Sequence, residues 1–284
     1  MSTPSPRPAS YAEFCEKLAA DHQALPKRLA QTARYLLAHP DEVAFGTTAS
    51  IAEAAGVQPS TLIRFAKANG FDGFSELQIL FREKLRHRDQ SYASRLSAID
   101  ATASDDPVKA ILSGFIAAGQ QSLEALNRDL DLAQFEAAAE LLGRAETIYL
   151  VARRRAFPPL VQLRYAFAKL GLRSEICGSG IGIDSDLLAF AGPNDAAIMI
   201  SFAPYSDQTV EAGEQLDGQQ VPFLAITDTL LSPIVAGSAA HILLSEADFA
   251  GFRTSAAAMT LVMALSVTVA EKRRLHHQPV RTIR

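Results

Sequence analysis

Apolar residues recur along this chain in two different rhythms. Through 11–90 they fall three and four positions apart in short runs, the spacing of amphipathic helices. A helix is predicted over 11–20. A second has Pro26 in its first turn and runs to about His39, with Leu29, Ala33, Leu36 and Leu37 on one face, and Pro40 ends it. Thr47 or Thr48 caps a third helix over 49–55, closed by Gly56. Pro59 opens a fourth, which stops at Asn69-Gly70, a pair suited to a left-handed C-cap. Ser75 caps a fifth over 76–88.

Beyond 91 the pattern changes. Residues 91–127 read as a linker that becomes a helix. Over 128–271, continuous apolar runs alternate with helical periods. The runs 147–152, 173–177, 196–202, 221–227 and 241–244 are predicted strands. Helices are predicted over 131–143, 158–170, 183–191, 206–218, 231–237 and 252–272. Strands this apolar belong to a sheet covered on both faces. Right-handed crossovers then give a doubly wound, five-stranded parallel sheet of the flavodoxin-like kind. The expected fold class is an all-α domain followed by an α/β domain. The expected boundaries are a disordered tail (1–10), a helix-turn-helix domain (11–90), a linker and connecting helix (91–127), a sheet domain (128–272) and a basic tail (273–284).

Composition narrows the function classes. Of 284 residues, 48% are hydrophobic and 20% charged, which excludes a wholly disordered chain. The formal charge of −4 means that any nucleic-acid contact comes from a local patch. Even 1–90 is nearly balanced; its late basic residues are Arg64, Lys67, Arg82, Lys84, Arg86 and Arg88. Cys15 and Cys177 lie far apart and form neither a metal-ligand spacing nor a disulfide framework, so no metal or cofactor is expected and a reducing cytoplasm fits. Residues 1–10 lack the apolar core of a secretory signal. The most apolar stretch, 255–270, is shorter than the roughly 20 residues of a membrane span, so no membrane partner is expected. A helix apolar on every side is expected to be buried, in the core or in an oligomer interface.

The segment TTASIAEAAGVQPSTLIRFAKANGF (47–71) places two short helices around the turn Gly56-Val57-Gln58. Ile51, Ala54, Ala55, Val57, Leu62 and Phe65 form its expected small core. A helix-turn-helix reads DNA by laying its second helix in the major groove, N-terminal residues at the base edges. Ser60, Thr61, Arg64 and Lys67 suit that task. The short hydroxyls allow close approach, Arg64 can grip a guanine with two hydrogen bonds, and Lys67 can meet a phosphate. Thr48 and Ser50 on the first helix are placed for the DNA backbone. Read from spacing alone, a plain helical hairpin in an ordinary core is the alternative.

Residues 39–83 resemble the N-terminal domain of the RpiR/MurR family of bacterial transcriptional regulators. In that family the block runs Ala-small-Gly-Val-Ser, then x-x-Thr-Val-x-Arg-Phe, then Gly-Phe-x-Gly-Phe. This chain matches it at Ile51, Ala52, Ala55, Gly56, Val57, Thr61, Arg64, Phe65, Gly70, Phe71, Gly73 and Phe74. It departs at Gln58, where the family has a Ser cap; the loss is about 1 kcal/mol, and Pro59 compensates by presetting the first turn. The resemblance implies a double-stranded DNA operator as partner, a homodimer or dimer of dimers, and a C-terminal SIS (sugar isomerase) domain that binds a sugar phosphate or another small anionic metabolite.

In open α/β sheets ligands bind at the carboxyl ends of the strands, where helix N-termini offer free N–H groups. The loop ISFAPYSDQT (200–209) resembles the SIS pattern Ser-x-Ser-Gly-x-Thr through Ser201, Ser206 and Thr209. It differs by the extra Ala203-Pro204 and by Asp207 in place of Gly. Plain capping by Ser206 is the alternative reading. The loop ARRRAFP (152–158) has arginines where the family has a Gly-rich turn, and Ala156 where it has a hydroxyl. Arg153 and Arg155 would favour a carboxylate or phosphate; an exposed basic edge or a subunit salt bridge is the alternative. In ITDTLLSPI (226–234), Thr227 is placed to line the pocket and Ser232-Pro233 to start a helix. GSGIGID (178–184) lacks the spacing and the distant acidic residue of a dinucleotide fingerprint, and His276-His277 reads as solvated. The rival function is a SIS-type isomerase, whose base would come from Glu211, His241 or Glu246. These form no convincing constellation, so no catalytic residue is expected.

Overall fold

The computed structural model describes residues 7–21, 25–88, 106–178, 184–203 and 205–276. The chain divides into two compact units, the first built on Met1–Thr102 and the second on Ala103–Asp228 and Ile234–Arg284.

The first unit is helical: α1 (Tyr11–Asp21), α2 (Lys27–Ala38), α3 (Pro40–Phe45), α4 (Thr48–Ala54), α5 (Pro59–Ala68) and α6 (Phe74–Arg88). Its core is aromatic. Phe14 of α1 meets Phe65, Phe71 and Phe81 edge-on, with ring centroids 6.2, 6.3 and 5.9 Å away. Leu36, Leu37, Leu62 and Leu77 complete it. Two boundaries differ from expectation. Pro40 ends α2 but also opens α3, because proline fits a first helical turn as well as it stops a preceding one. α6 begins at Phe74, which places Ser75 inside the helix rather than at its cap. The N-terminal tail is not featureless at its end: Pro8 is buried, and Arg7 pairs with Glu76 and lies over the Phe71 ring.

The second unit begins with α7 (Pro107–Asp129), the expected connecting helix, and α8 (Leu132–Arg144). The sheet follows: β1 (Ile148–Ala152), a 3-10 turn (Arg154–Ala156), α9 (Phe157–Lys169), β2 (Ser174–Cys177), α10 (Asp184–Leu188), β3 (Ala196–Ile200), α11 (Asp207–Gly218), β4 (Phe223–Thr227) and β5 (Ala240–Leu243). All pairings are parallel, in the order β2-β1-β3-β4-β5. Alternate strand residues feed two cores. Ile148, Leu150, Ile198, Leu224 and Ile242 pack with α8 and α9; Tyr149, Val151, Met199, Phe223 and Ala225 pack on the other face. Burial on both faces is why the strands read as unbroken apolar runs.

Two expected elements change. The 231–237 helix is a single 3-10 turn, Pro233–Val235. The start of the 252–272 helix is instead a tight hairpin of β6 (Asp248–Phe249) and β7 (Phe252–Arg253), and α12 (Ala256–His276) begins after it. The hairpin packs on α7, where the ring of Phe115 faces Phe249 at 5.4 Å. The apolar α12 buries Leu261, Val262, Leu265 and Val269 within its own chain, against α8 and α9. The basic end of α12 is likewise engaged: Arg273 donates to the carbonyls of Gly143 and Ala145, and His276 Nε2 lies 3.0 Å from Glu140 Oε1. Residues 1–6, 22–24, 89–105, 179–183, 204 and 277–284, and with them part of the expected linker, of GSGIGID and of the tail, lie outside the described residues.

Candidate functional site

In the first unit the polar groups of 47–67 are sorted by local hydrogen bonding. Thr47, not Thr48, caps α4. Its hydroxyl accepts from the Ser50 amide at 3.1 Å, and the Ser50 hydroxyl accepts from the Thr47 amide at 3.0 Å. Ser50 is exposed, but its hydroxyl is engaged in this reciprocal cap. Thr48 is half-buried in the first turn. The chain then turns at Gly56, whose φ of +63° favours glycine. Ala54 is exposed and takes no part in the core expected of it.

α5 starts at Pro59, and Gln58 makes no side-chain cap, as its residue type foretells. Leu62, Phe65 and Ala66 face the core; Ser60, Arg64 and Lys67 face solvent, with Thr61 half-buried. The spacing 60, 64, 67 therefore presents three of the four expected recognition residues on one exposed face. Side chains from elsewhere in the chain bond the ends of α3, α4 and α5. Gln31 Nε2 donates to Ala55 O at 2.9 Å, Gln78 Nε2 to Val43 O and Gly46 O at 2.8 and 2.9 Å, and Arg82 Nε to Ala44 O at 2.8 Å. Lys17 Nζ donates to Asn69 O at 3.2 Å. These groups satisfy carbonyls at helix ends and turns. Nothing in their sequence neighbourhood marks them. The side chains of 84–88 lie outside the described residues.

In the second unit, β1 and β3 are neighbours whose following helices cover opposite faces, so the loops after them flank the switch point of the sheet. The structure separates the arginines there. Arg153 forms a largely buried ion pair with Asp184, which neutralises it and removes it from the set expected to meet an anion. Arg154 is exposed and adopts a φ of 54°, a left-handed conformation on a non-glycine residue. Arg155 reaches across to the loop after β3: its Nη2 donates to Ala203 O at 3.0 Å, and its Cζ lies 5.1 Å from the Phe202 ring centroid. Protein atoms crowd the guanidinium, although the residue as a whole is exposed. That desolvation, and then the like charge of Arg253, draws its pKa down to about 10. Asp228, Glu246 and Tyr205 oppose the shift, and Arg155 remains a cation at neutral pH.

The loop after β3 is tied down by Asp228, a residue the sequence reading did not single out. Its carboxylate accepts from Ala203 N at 2.9 Å, Tyr205 Oη at 2.7 Å and Thr227 Oγ1 at 3.3 Å. Thr227 is fully buried and its hydroxyl is directed to that carboxylate. Ser201 is buried, its amide bonded to Ile226 O. Ser206 is the N-cap residue of α11 but makes no capping bond with its side chain, against the plain capping reading. Thr209 is fully buried and its hydroxyl has no hydrogen-bond partner among the described residues. A buried hydroxyl without a partner is costly unless a bound group completes it. Ser206, Thr209 and Arg155 are thus the expected residues that retain polar capacity at the strand ends.

The groups considered for an isomerase base do not converge. Glu246 accepts from Ala258 N at 2.7 Å and from Thr254 Oγ1 at 2.8 Å, which fixes the start of α12. Glu211 is exposed on α11 and His241 is half-buried on β5. Among the described residues no group of three or more His, Cys, Asp or Glu is arranged to hold a metal ion, and no helix is long and apolar enough to cross a membrane.

Residues 12–88 match the helix-turn-helix domain of the rpiR family, and residues 141–269 match the SIS domain. An HTH-type transcriptional regulator of Haemophilus influenzae is 26% identical over 228 residues, which is 80% of this chain and 77% of that one. The sugar isomerase domain of an RpiR transcription factor from Sphaerobacter thermophilus superposes with a TM-score of 0.53 at 22% identity, covering 58% of this chain and 91% of that one. The Vibrio vulnificus NanR protein, solved with ManNAc-6P, superposes with a TM-score of 0.52 at 17% identity, covering 92% and 93%. The N-terminal domain belongs to the rpiR helix-turn-helix family and the C-terminal domain is a SIS domain, the pairing found in transcriptional regulators.

Proposed function

We propose that this protein is a DNA-binding transcriptional regulator whose affinity for a double-stranded operator is set by a small anionic metabolite, a sugar phosphate or sugar acid, held in the SIS domain. The observation that carries the DNA reading is the exposed face of α5, with Ser60, Arg64 and Lys67 outward while Leu62 and Phe65 fix the helix from within. The polar groups left available at the strand ends support the effector reading: Arg155, with Ser206 and the unpartnered Thr209. The ManNAc-6P carried by the similarly folded NanR is of the same chemical class. Such a regulator acts in the cytoplasm as a homodimer or dimer of dimers on paired half-sites. Apolar side chains left in solvent support self-association. Val108, Leu112 and Ile116 form a stripe along α7, and the packed pair α9 and α12 leaves Val161, Tyr165, Met263 and Val267 exposed.

The test begins with selection of a duplex from a random pool by the full-length protein. Arg64→Ala is expected to weaken that duplex by about 1–3 kcal/mol and to relax base preference, whereas Lys67→Ala weakens all sequences more evenly and lowers the salt dependence. Retained affinity and specificity in Arg64→Ala would overturn the recognition-helix assignment. A thermal-shift series with sugar phosphates and sugar acids tests the effector. Ser206→Ala/Thr209→Ala should remove the shift given by the best of them, and no shift from any of them would leave the SIS domain an assembly module.

A further inference from the structure

One apolar side chain stands among the polar residues of the outward face of α5. Ile63 is 42% exposed. With Ser60, Arg64 and Lys67 it completes the spacing i, i+3, i+4, i+7, the residues that share one side of a helix. The opposite side is filled by Leu62, Phe65 and Ala66, all fully buried, so Ile63 has no place in the core. Isoleucine has a lower helix propensity than alanine or the long polar residues, so nothing in the free helix favours it there.

Its direction is fixed by helix geometry. Helical side chains lean toward the N-terminus, so the methyl groups of Ile63 lie over the first turn, beside Ser60. That turn is the part of a recognition helix that enters the major groove. Ser60 and Thr61 are short, and Ile63 is the long-reaching apolar group among them. In the major groove the bases present one alkyl group, the 5-methyl of thymine; the remaining edge is donors and acceptors with only the small C–H of cytosine between them. Covering that methyl with isoleucine removes apolar surface from water on both sides, and a polar base edge there would be left without a partner.

We propose that Ile63 is a specificity-determining residue that reads the 5-methyl group of a thymine next to the base contacted by Arg64. This rests on the DNA-binding reading above and adds a base to it. The experiment replaces each thymine of the selected duplex, one at a time, by deoxyuridine, which removes the methyl and nothing else. Binding of the full-length protein is followed by fluorescence anisotropy. Wild type should lose about fourfold in affinity at one thymine per half-site, the worth of one buried methyl, and be indifferent at most others. Ile63→Ala should bind the thymine duplex more weakly and show no further loss at that deoxyuridine, while Ile63→Val keeps part of the discrimination. Indifference of wild type to every deoxyuridine, or the same penalty in Ile63→Ala as in wild type, would overturn the proposal while leaving DNA binding intact. Failure of the DNA-binding reading has a different signature, with no sequence enriched and no anisotropy change on any duplex. Ile63 is exposed and alanine is the better helix former, so Ile63→Ala should unfold in urea at or slightly above the wild-type midpoint, which separates recognition from folding.

Discussion

Arg64 and Lys67 stand in solvent on one face of α5, whereas Arg153 and Arg155 of the SIS domain are drawn into protein groups at the strand ends. The two arrangements suit different partners. Exposed cations keep their hydration and act through a field that salt screens within about 10 Å. They fit a long polyanion met from outside, where each phosphate contact releases counterions. Enclosed cations are less screened, and they persist only where something compensates them. For Arg153 that is Asp184. Arg155 is intermediate between the two cases: the residue is exposed, but its guanidinium meets a carbonyl oxygen and an aromatic face, with the like charge of Arg253 opposed by Asp228 and Glu246. The difference teaches where a substitution will be felt: as a loss of binding alone on α5, and as a loss of stability, binding or both at the strand ends.

Asp184→Ala gives the sharpest test of that contrast. It leaves the guanidinium of Arg153 largely buried and unpaired, and should cost about 3–5 kcal/mol in urea unfolding of the SIS domain. Arg153→Met added to it should recover much of the loss. A cost as small as that of a surface substitution, within about 0.5 kcal/mol, would break the distinction between enclosed and open charge. Gly178→Ala comes next. A Cβ at Gly178 would sit 2.5 Å from the backbone oxygen of Ala152, where the ends of β1 and β2 approach one another. Strand ends do not move as a side chain does, so the expected loss is about 1–3 kcal/mol, with weaker retention of whichever sugar phosphate stabilises wild type. Wild-type stability and retention would show that this end of the sheet is looser than its backbone implies. The smallest effect belongs to the open domain. Gly73 matches the family motif, yet a Cβ there meets nothing within 4 Å and its φ is not left-handed. Gly73 also caps α6, its carbonyl accepting from Leu77 N, and alanine caps less well, so that loss offsets the gain from a stiffer unfolded chain and Gly73→Ala should change stability by less than about 0.5 kcal/mol. A clear loss of DNA affinity with unchanged stability would assign the motif glycine to the interface instead.

Legibility follows the same division. α4 and α5 could be read because their signals are local: Thr47, Gly56, Pro59 and Asn69-Gly70 punctuate the chain within a few residues of the helices they bound. Ser201, Ser206 and Thr209 could be found by position after a strand and by resemblance. The fate of Arg153 could not, since its partner Asp184 lies 31 residues away and no pattern links them. Asp228 was passed over for a related reason. One acidic residue after a strand is ordinary until three donors from two loops converge on it.

Local pattern alone gives the helical and α/β halves of the chain, most helices to within a few residues (but neither α3 nor the loss of the 231–237 helix), the five parallel strands and the polar set carried by α5. Periodicity, capping and turn chemistry act over distances of a few residues, and the chain records them directly. Long-range packing settles which arginine is paired with a carboxylate, that the C-terminal apolar helix is buried in its own domain, and that Gln31 holds the end of α4 while Gln78 holds the end of α3. Those outcomes depend on hydrogen bonds and charges meeting across long separations in the chain. A side chain's type limits what it can bond, but packing alone settles which partner comes within 3 Å of it.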